Sequence, residues 1–168
     1  MTENEDFPGR QVVKLYISVI GASEATSREF DLSVEVGKEI ARAGCVLVCG
    51  GLSGVMEGAA KGASENGGKS IGILPQDNRR HANPYLSFSL PTGLGHMRNY
   101  LVVAGGDGVL AIGGGAGTLS EMGMAMKLQR PVVLLESLDL KAVFQEDPKV
   151  RCAKTPGEAV TYLLRELR

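Results

Sequence analysis

Apolar and polar positions along the chain fall into two alternating rhythms. Val12–Ile20 (VVKLYISVI), Val46–Cys49, Ser70–Leu74, Tyr85–Leu90, Val109–Ile112 and Val132–Leu135 are short β-branched or aliphatic runs, and each predicts a strand. Between them, Glu24–Ala43, Ser53–Glu65, His96–Ala104, Thr118–Leu128 and Thr155–Leu167 carry apolar residues at helical spacing. Gly44 stops the first helix, Asn66-Gly67-Gly68 closes the second, and Pro75 ends the third strand. Asp139–Phe144 predicts one or two further turns. The last helix opens on Thr155-Pro156-Gly157-Glu158, with Thr155 at the N-cap, Pro156 at N1 and Glu158 completing a capping box. Strands that alternate with helices call for right-handed crossovers. The expected fold class is therefore α/β: a doubly wound, Rossmann-like, mostly parallel sheet with helices on both faces. Residues 1–11 are acidic and polar and read as a disordered leader; residues 12–168 read as a single domain.

Composition narrows the function classes. Of 168 residues, 43% are apolar and 22% charged, and the net charge of −1 leaves no basic footprint for nucleic acid. No apolar run approaches the roughly 20 residues that span a bilayer, so no membrane role is expected. The start of the chain has neither the basic nor the apolar segment of a secretory signal, and Cys45, Cys49 and Cys152 make an odd, low count. Both point to the reducing cytoplasm. Two histidines and scattered cysteines give no metal-binding spacing.

The 23 glycines are the feature that matters. Strand one runs into Gly21-Ala22-Ser23, strand two into Gly50-Gly51-Leu52-Ser53-Gly54, and strand five into Gly113-Gly114-Gly115-Ala116-Gly117-Thr118. Each turn precedes a helix, so all three belong on the carboxyl edge of the sheet. Helix N-termini there offer free N–H groups and a positive dipole end, and glycine lets a ligand approach the backbone. The competing reading is tight helix–strand packing that needs small residues. Two other patterns are set aside. Ala63-Ser64-Glu65-Asn66-Gly67-Gly68-Lys69-Ser70 looks like a loosened P-loop, yet it follows a helix and opens a strand. Gly113-x-Gly115 with Glu136, 21 residues after Gly115, looks like a dinucleotide fingerprint, but Thr118 stands where the third glycine belongs.

At these residues a family resemblance emerges. Gly113-Gly114-Gly115-Ala116-Gly117-Thr118-Leu119-Ser120-Glu121 resembles the PGGxGTxxE signature of the LONELY GUY phosphoribohydrolases, and Cys49–Met56 resembles their GGGxxGxM motif. The whole chain after the leader is most similar to a sister group, the molybdenum-cofactor carrier-like proteins, which are related to the Rossmann domain of DNA-processing protein A. Gly93-Leu94-Gly95-His96-Met97-Arg98-Asn99 resembles the GLGxxRN run of that group, and Ala82–Tyr85 its ANPY loop. The departures are Gly113 for the signature's proline, Cys49 for the first glycine of the upstream motif, and Met97 and Asn99 in place of the glutamate and lysine of the hydrolases' HERK run.

The resemblance implies roles. Glu121 would be the carboxylate at the sugar, stabilising an oxocarbenium-like state or orienting water; it also completes a Thr118-x-x-Glu121 capping box. Arg98 opens a helix, where the dipole disfavours a cation, so a partner is expected for it in Glu121 or a ligand anion. Thr118 and the N–H groups of Gly114, Gly115 and Gly117 are the expected phosphate contacts. Gly113 shares that turn, and Gly50, Gly51 and Gly54 form the second one. Gly21 and Ser23 would hold ribose or base, Ser23 serving otherwise as the N-cap of helix one. Asn99 would bond the ligand or support its turn, His96 reads as a helix-start residue, and Arg79 and Arg80 as a lid or a solvated loop. No resident cofactor is called for; the molybdenum cofactor is a candidate cargo. The partner is a nucleotide-like or pterin-type phosphorylated small molecule. The final helix and Met122–Met126 are apolar enough to predict a homodimer or higher homo-oligomer. Three functions compete: hydrolysis of a nucleoside 5′-monophosphate to base and ribose 5-phosphate, carriage of a pterin-type cofactor or sensing of a nucleotide, and, disfavoured, NAD(P)-dependent oxidation–reduction.

Overall fold

The computed structural model describes residues 14–137 and 147–168. Seven strands form one sheet: β1 (Tyr16–Gly21), β2 (Val46–Cys49), β3 (Lys69–Leu74), β4 (Phe88–Pro91), β5 (Gly108–Ile112), β6 (Val132–Leu135) and β7 (Val150–Ala153). Their order is β4-β3-β2-β1-β5-β6-β7, and all six pairings are parallel. The α/β doubly wound, Rossmann-like fold is thus as expected. Strands β2, β5 and β6 are buried at every position, which is why they read as unbroken apolar runs rather than alternating ones. Helices α1 (Ser27–Arg42), α2 (Val55–Glu65) and α5 (Pro156–Glu166) cover one face around Ile17, Leu47, Leu110 and Leu135. Helices α3 (Asn99–Gly105) and α4 (Ala116–Lys127) cover the other around Ile20, Val48, Val109 and Met122. Strand order reverses between β1 and β5, and the crevice outside the carboxyl ends of those two strands is the place such a sheet offers a ligand.

Several boundaries differ from expectation, each for a local reason. Helix α1 starts at Ser27, not near Glu24, because Thr26 is its N-cap: the Thr26 hydroxyl accepts from the Glu29 N–H (3.2 Å) and Glu29 Oε2 accepts from the Thr26 N–H (2.8 Å). Ser23 is therefore not the N-cap. Helix α4 starts at Ala116 with Gly115 as N-cap and no side-chain cap bond, so the expected Thr118–Glu121 capping box does not form; Glu121 lies in the second turn. Thr155 does cap α5, but Glu158 Oε2 accepts from the Lys154 N–H (2.8 Å) rather than from that of Thr155. The helix expected over His96–Ala104 divides into a 3-10 turn, Gly95–Arg98, and α3. Strand β4 begins at Phe88, after the bend that Asn83 stabilises by accepting from the Tyr85 N–H. β7 was not anticipated: VRCA is a short, half-exposed edge strand with no apolar stripe. The leader, Val12 and Val13, and Asp139–Phe144 lie outside the described residues. Among the described residues no helix is long and apolar enough to cross a membrane. The apolar face of α5 (Ala159, Val160, Leu163) and Met122 of α4 are buried within the chain, while Met124 and Met126 are half-buried.

Candidate functional site

A cavity of about 510 Å³ opens at the carboxyl ends of β1, β2 and β5. Three segments far apart in sequence meet there. Gly21, Ala22, Ser23 and Glu24 follow β1; Gly50, Leu52 and Met56 come from the turn after β2 and the start of α2; Gly115, Gly117, Thr118 and Glu121 belong to the first two turns of α4. Pro75, Gly95, His96, Arg98 and Asn99 close the side. Of the expected residues, Gly21, Ser23, Gly50, Arg98, Asn99, Gly115, Gly117, Thr118 and Glu121 are brought together; Gly51, Gly54, Gly113 and Gly114 are not on the wall. Gly51 (φ 73°) and Gly54 (φ 66°) are in the left-handed region that the turn after β2 requires. Gly54 borders a neighbouring cleft of about 480 Å³ with Glu57, and Ser23 and Glu24 border both. Gly113 (φ 53°) and Gly114 (φ 109°) shape the turn that launches α4; the Gly113 carbonyl accepts from Ser137 Oγ (2.7 Å).

The glycines on the wall divide by what a side chain would meet. A Cβ on Gly50 would strike Nη1 of Arg98 and Sδ of Met56. Gly50 is therefore glycine because the Arg98 guanidinium lies against it. A Cβ on Gly115 or Gly117 would meet nothing within 4 Å, and neither residue has a positive φ. Nothing within the described fold requires glycine there; the open space is the cavity itself, above the N-terminus of a 12-residue helix. That end carries unpaired N–H groups and partial positive charge, which suits an anion.

Arg98 and Glu121 give the cavity its chemistry. Both are 7% exposed. The Arg98 Nε is buried without a hydrogen-bond partner. A guanidinium keeps its charge when buried, so an orphaned donor at a cavity wall marks a place for an acceptor from outside. Among the described residues no ion pair joins Arg98 to Glu121 within 4.0 Å. Burial pushes the Glu121 carboxyl up to about 7, against the opposing pull of Arg98. Burial also lowers the Arg98 pKa, Glu121 and the Cys49 thiol resisting. Cys49 lies beneath, fully buried, its thiol pushed up to about 11 by desolvation; it is inert core, as its apolar run indicated.

Other residues resolve plainly. His96 lines the cavity instead of merely starting a helix. Glu24, Leu52, Met56, Pro75 and Gly95 are wall residues that sequence reasoning missed; Pro75 had a usable signal, since it ends a strand on the same sheet edge. Arg79 and Arg80 are exposed and do not line the cavity, and Arg79 Nε donates to the Ser89 carbonyl (3.1 Å), so the lid reading falls away. The Glu136 carboxylate is engaged by Arg28, which lowers its pKa, and it is not among the residues that line the cavity. Lys69 opens β3, as expected for the rejected P-loop.

A model of the SLOG cluster4 family matches residues 14–160. A protein of uncharacterised function from Archaeoglobus fulgidus is 38% identical over 150 residues, covering 89% of this chain and 95% of that one. The molybdenum cofactor binding protein of the phototrophic bacterium Rippkaea orientalis superposes with a TM-score of 0.88 at 35% identity, over 94% of this chain and 100% of that chain. The molybdenum cofactor carrier protein of Chlamydomonas reinhardtii superposes with a TM-score of 0.80 at 31% identity, over 92% and 98% of the two chains. The expected kinship with the molybdenum-cofactor carrier-like proteins is borne out by these similarities.

Proposed function

The chain belongs to the SLOG cluster4 family, and from that premise we propose that it binds the molybdenum cofactor, a phosphorylated pterin, as cargo in the cavity at the β1/β5 switch. The observation that carries this reading is the buried, unpartnered Arg98 on a cavity whose facing wall is the open, glycine-lined N-terminus of α4. The donor set fits the ligand. Its phosphate would take the N–H groups of Gly115, Gly117 and Thr118, the Thr118 hydroxyl and the Arg98 guanidinium. The flat ring would lie along Gly21, Ser23 and the thioether of Met56, with Asn99 and His96 as polar contacts. Glu121, with a pKa of about 7, can accept or donate a hydrogen bond according to pH. The similarity to two proteins whose names give the molybdenum cofactor as what they bind or carry supports the same choice.

The test is retention of molybdenum cofactor, released anaerobically from a molybdoenzyme, through gel filtration, with the bound pterin read by fluorescence after oxidation. The expected result is one pterin per chain and at least tenfold weaker retention by Arg98→Ala and by Gly115→Leu. The leucine fills the cavity from a position where its Cβ meets nothing in the chain, so the variant folds normally. Equal retention by all three proteins would remove the cavity from the reading.

One observation favours a second reading. A buried carboxyl near neutrality beside an arginine can serve the oxocarbenium-like transition state of N-glycosidic cleavage. Nucleoside 5′-monophosphates incubated with the protein would then release free base, and Glu121→Gln would abolish the release. Pterin retention without base release leaves the carrier alone.

A further inference from the structure

Charge on the cavity wall is short of cations. Among the described residues the lining includes one guanidinium, Arg98, and two carboxylates, Glu24 and Glu121; His96 is the remaining titratable side chain. Glu24 and His96 are exposed, so water and salt screen them. Arg98 and Glu121 are buried and act on the cavity at close to full strength. They are held by different elements. The 3-10 turn keeps Arg98 against Gly50, where a Cβ would strike its Nη1, and the second turn of α4 carries Glu121. The guanidinium is not consumed by the carboxylate: its Nε has no partner, and no ion pair joins the two within 4.0 Å among the described residues.

No other element packed against α4 supplies a countercharge. The helix rests on α3, β1, β5 and β6. β5 and β6 carry no titratable residue, Tyr16 of β1 stands at the far end of its strand, and Tyr100 of α3 is exposed. Cys49 of β2, beneath Arg98, is kept neutral by burial. Lys127 is in the last turn of α4, away from the cavity. The countercharge for an incoming anion is therefore Arg98 and the helix end, the latter worth roughly half a unit. A phosphate monoester brings about two negative charges. With Glu121 ionised, a third would share the same cation in a place that water does not screen. With Glu121 protonated, the balance is close to even, and the carboxyl O–H becomes a donor to a phosphate oxygen.

We propose, resting on the reading that this cavity takes a phosphorylated ligand, that the phosphate enters together with a proton that settles on Glu121, so that the carboxyl holds the ligand when protonated and expels it when ionised. The sign of the pH dependence follows. In the empty site Glu121 gives up its proton near pH 7, and a bound phosphate raises that value by repulsion. Below the lower value the proton is already in place and binding exchanges none. Between the two values binding draws one proton from water, and affinity falls by up to about tenfold per pH unit. Above the higher value the fall levels off. Release then requires no movement of the chain.

Calorimetric titration in two buffers of different ionisation enthalpy counts the proton. The probes are the phosphorylated, fluorescent pterin left by oxidation of the molybdenum cofactor, and inorganic phosphate. Near pH 8 the parent is expected to take up most of one proton per ligand more than Glu121→Gln, which keeps a donor at every pH; near pH 6 the two should agree. Relative to that variant, the parent's affinity should fall about fivefold between pH 7 and pH 8. The probe's own ionisation is common to both proteins and cancels in the comparison. His96→Asn should keep the difference; its loss there would assign the proton to His96 and overturn the proposal. Proton uptake with phosphate, but no binding of the pterin, would set aside the pterin cargo and keep the switch. Binding with equal proton counts in the parent and Glu121→Gln near pH 8 overturns the switch and leaves the cargo reading standing. Binding of neither probe between about pH 6 and pH 8 overturns both.

Discussion

A carboxyl group with 7% of its surface exposed and no ion-pair partner among the described residues holds its proton to about pH 7. In the unfolded chain Glu121 returns to its ordinary value near 4.5. Between those values the folded protein binds the extra proton, so stability falls as pH rises through the window and levels off above it. The shift corresponds to at most about 3 kcal/mol at 1.36 kcal/mol per unit. Glu121→Gln, which keeps the shape and removes the ionisation, is therefore expected to be more stable than the parent above about pH 7 and little different near pH 4. Urea midpoints measured for both proteins across that range check it; parallel curves would mean that Glu121 ionises freely in the folded state. The identity of Glu121 as a site residue was legible from its motif. Its environment was not, because the capping box read from Thr118-x-x-Glu121 placed the N-cap three residues too late, at Thr118 instead of Gly115. The same holds for glycine: Gly50, Gly51, Gly54, Gly113, Gly114, Gly115 and Gly117 look alike in a string. Only the fold separates Gly50, which makes room for Arg98, from Gly115 and Gly117, which face empty space.

At the scale of elements, the central strands and the long helices were legible because burial on both faces, or along one stripe, leaves an unmistakable period. Elements at the margin were not. β7 pairs with β6 through Val150, Arg151, Cys152 and Ala153, with half its positions exposed, and such a strand has no hydrophobic signature to read. The small residues of α2 were visible but their reason was not. A Cβ on Gly37 of α1 would strike the Ala59 carbonyl and lie 2.8 Å from the Ala63 N of α2, and Gly62 of α2 lies equally tight against the Val34 carbonyl. The two helices touch backbone to backbone, so neither position tolerates even a methyl group without spreading the pair. Gly37→Ala, favourable by helix propensity alone, is expected to destabilise the protein by about 3 kcal/mol through overpacking. Chemical denaturation decides the sign: a gain of the propensity value would show that the helices stand further apart.

The whole molecule is organised by the reversal of strand order at β1/β5, which divides the sheet into a half carrying β4, β3, β2 and β1 and a half carrying β5, β6 and β7. The cavity draws its walls from both. Arg98 reaches it from the segment between β4 and β5 and rests against Gly50 of the first half, while the anion-binding turn of α4 belongs to the second. A ligand held by Arg98 and by the α4 N-terminus at once ties the halves together, and its binding energy appears as added stability in both. Hydrogen exchange on the loaded protein is therefore expected to slow by a similar factor in three separate segments: the turn after β2 around Gly50, the stretch from Gly95 to Asn99, and the first turn of α4. Arg98→Ala should keep the slowing at α4, where the phosphate would still meet the helix end, and lose it at Gly50 and Gly95–Asn99. Protection confined to α4 in the parent protein would mean that Arg98 does not reach the ligand, and that the guanidinium against Gly50 serves the fold instead of the cargo.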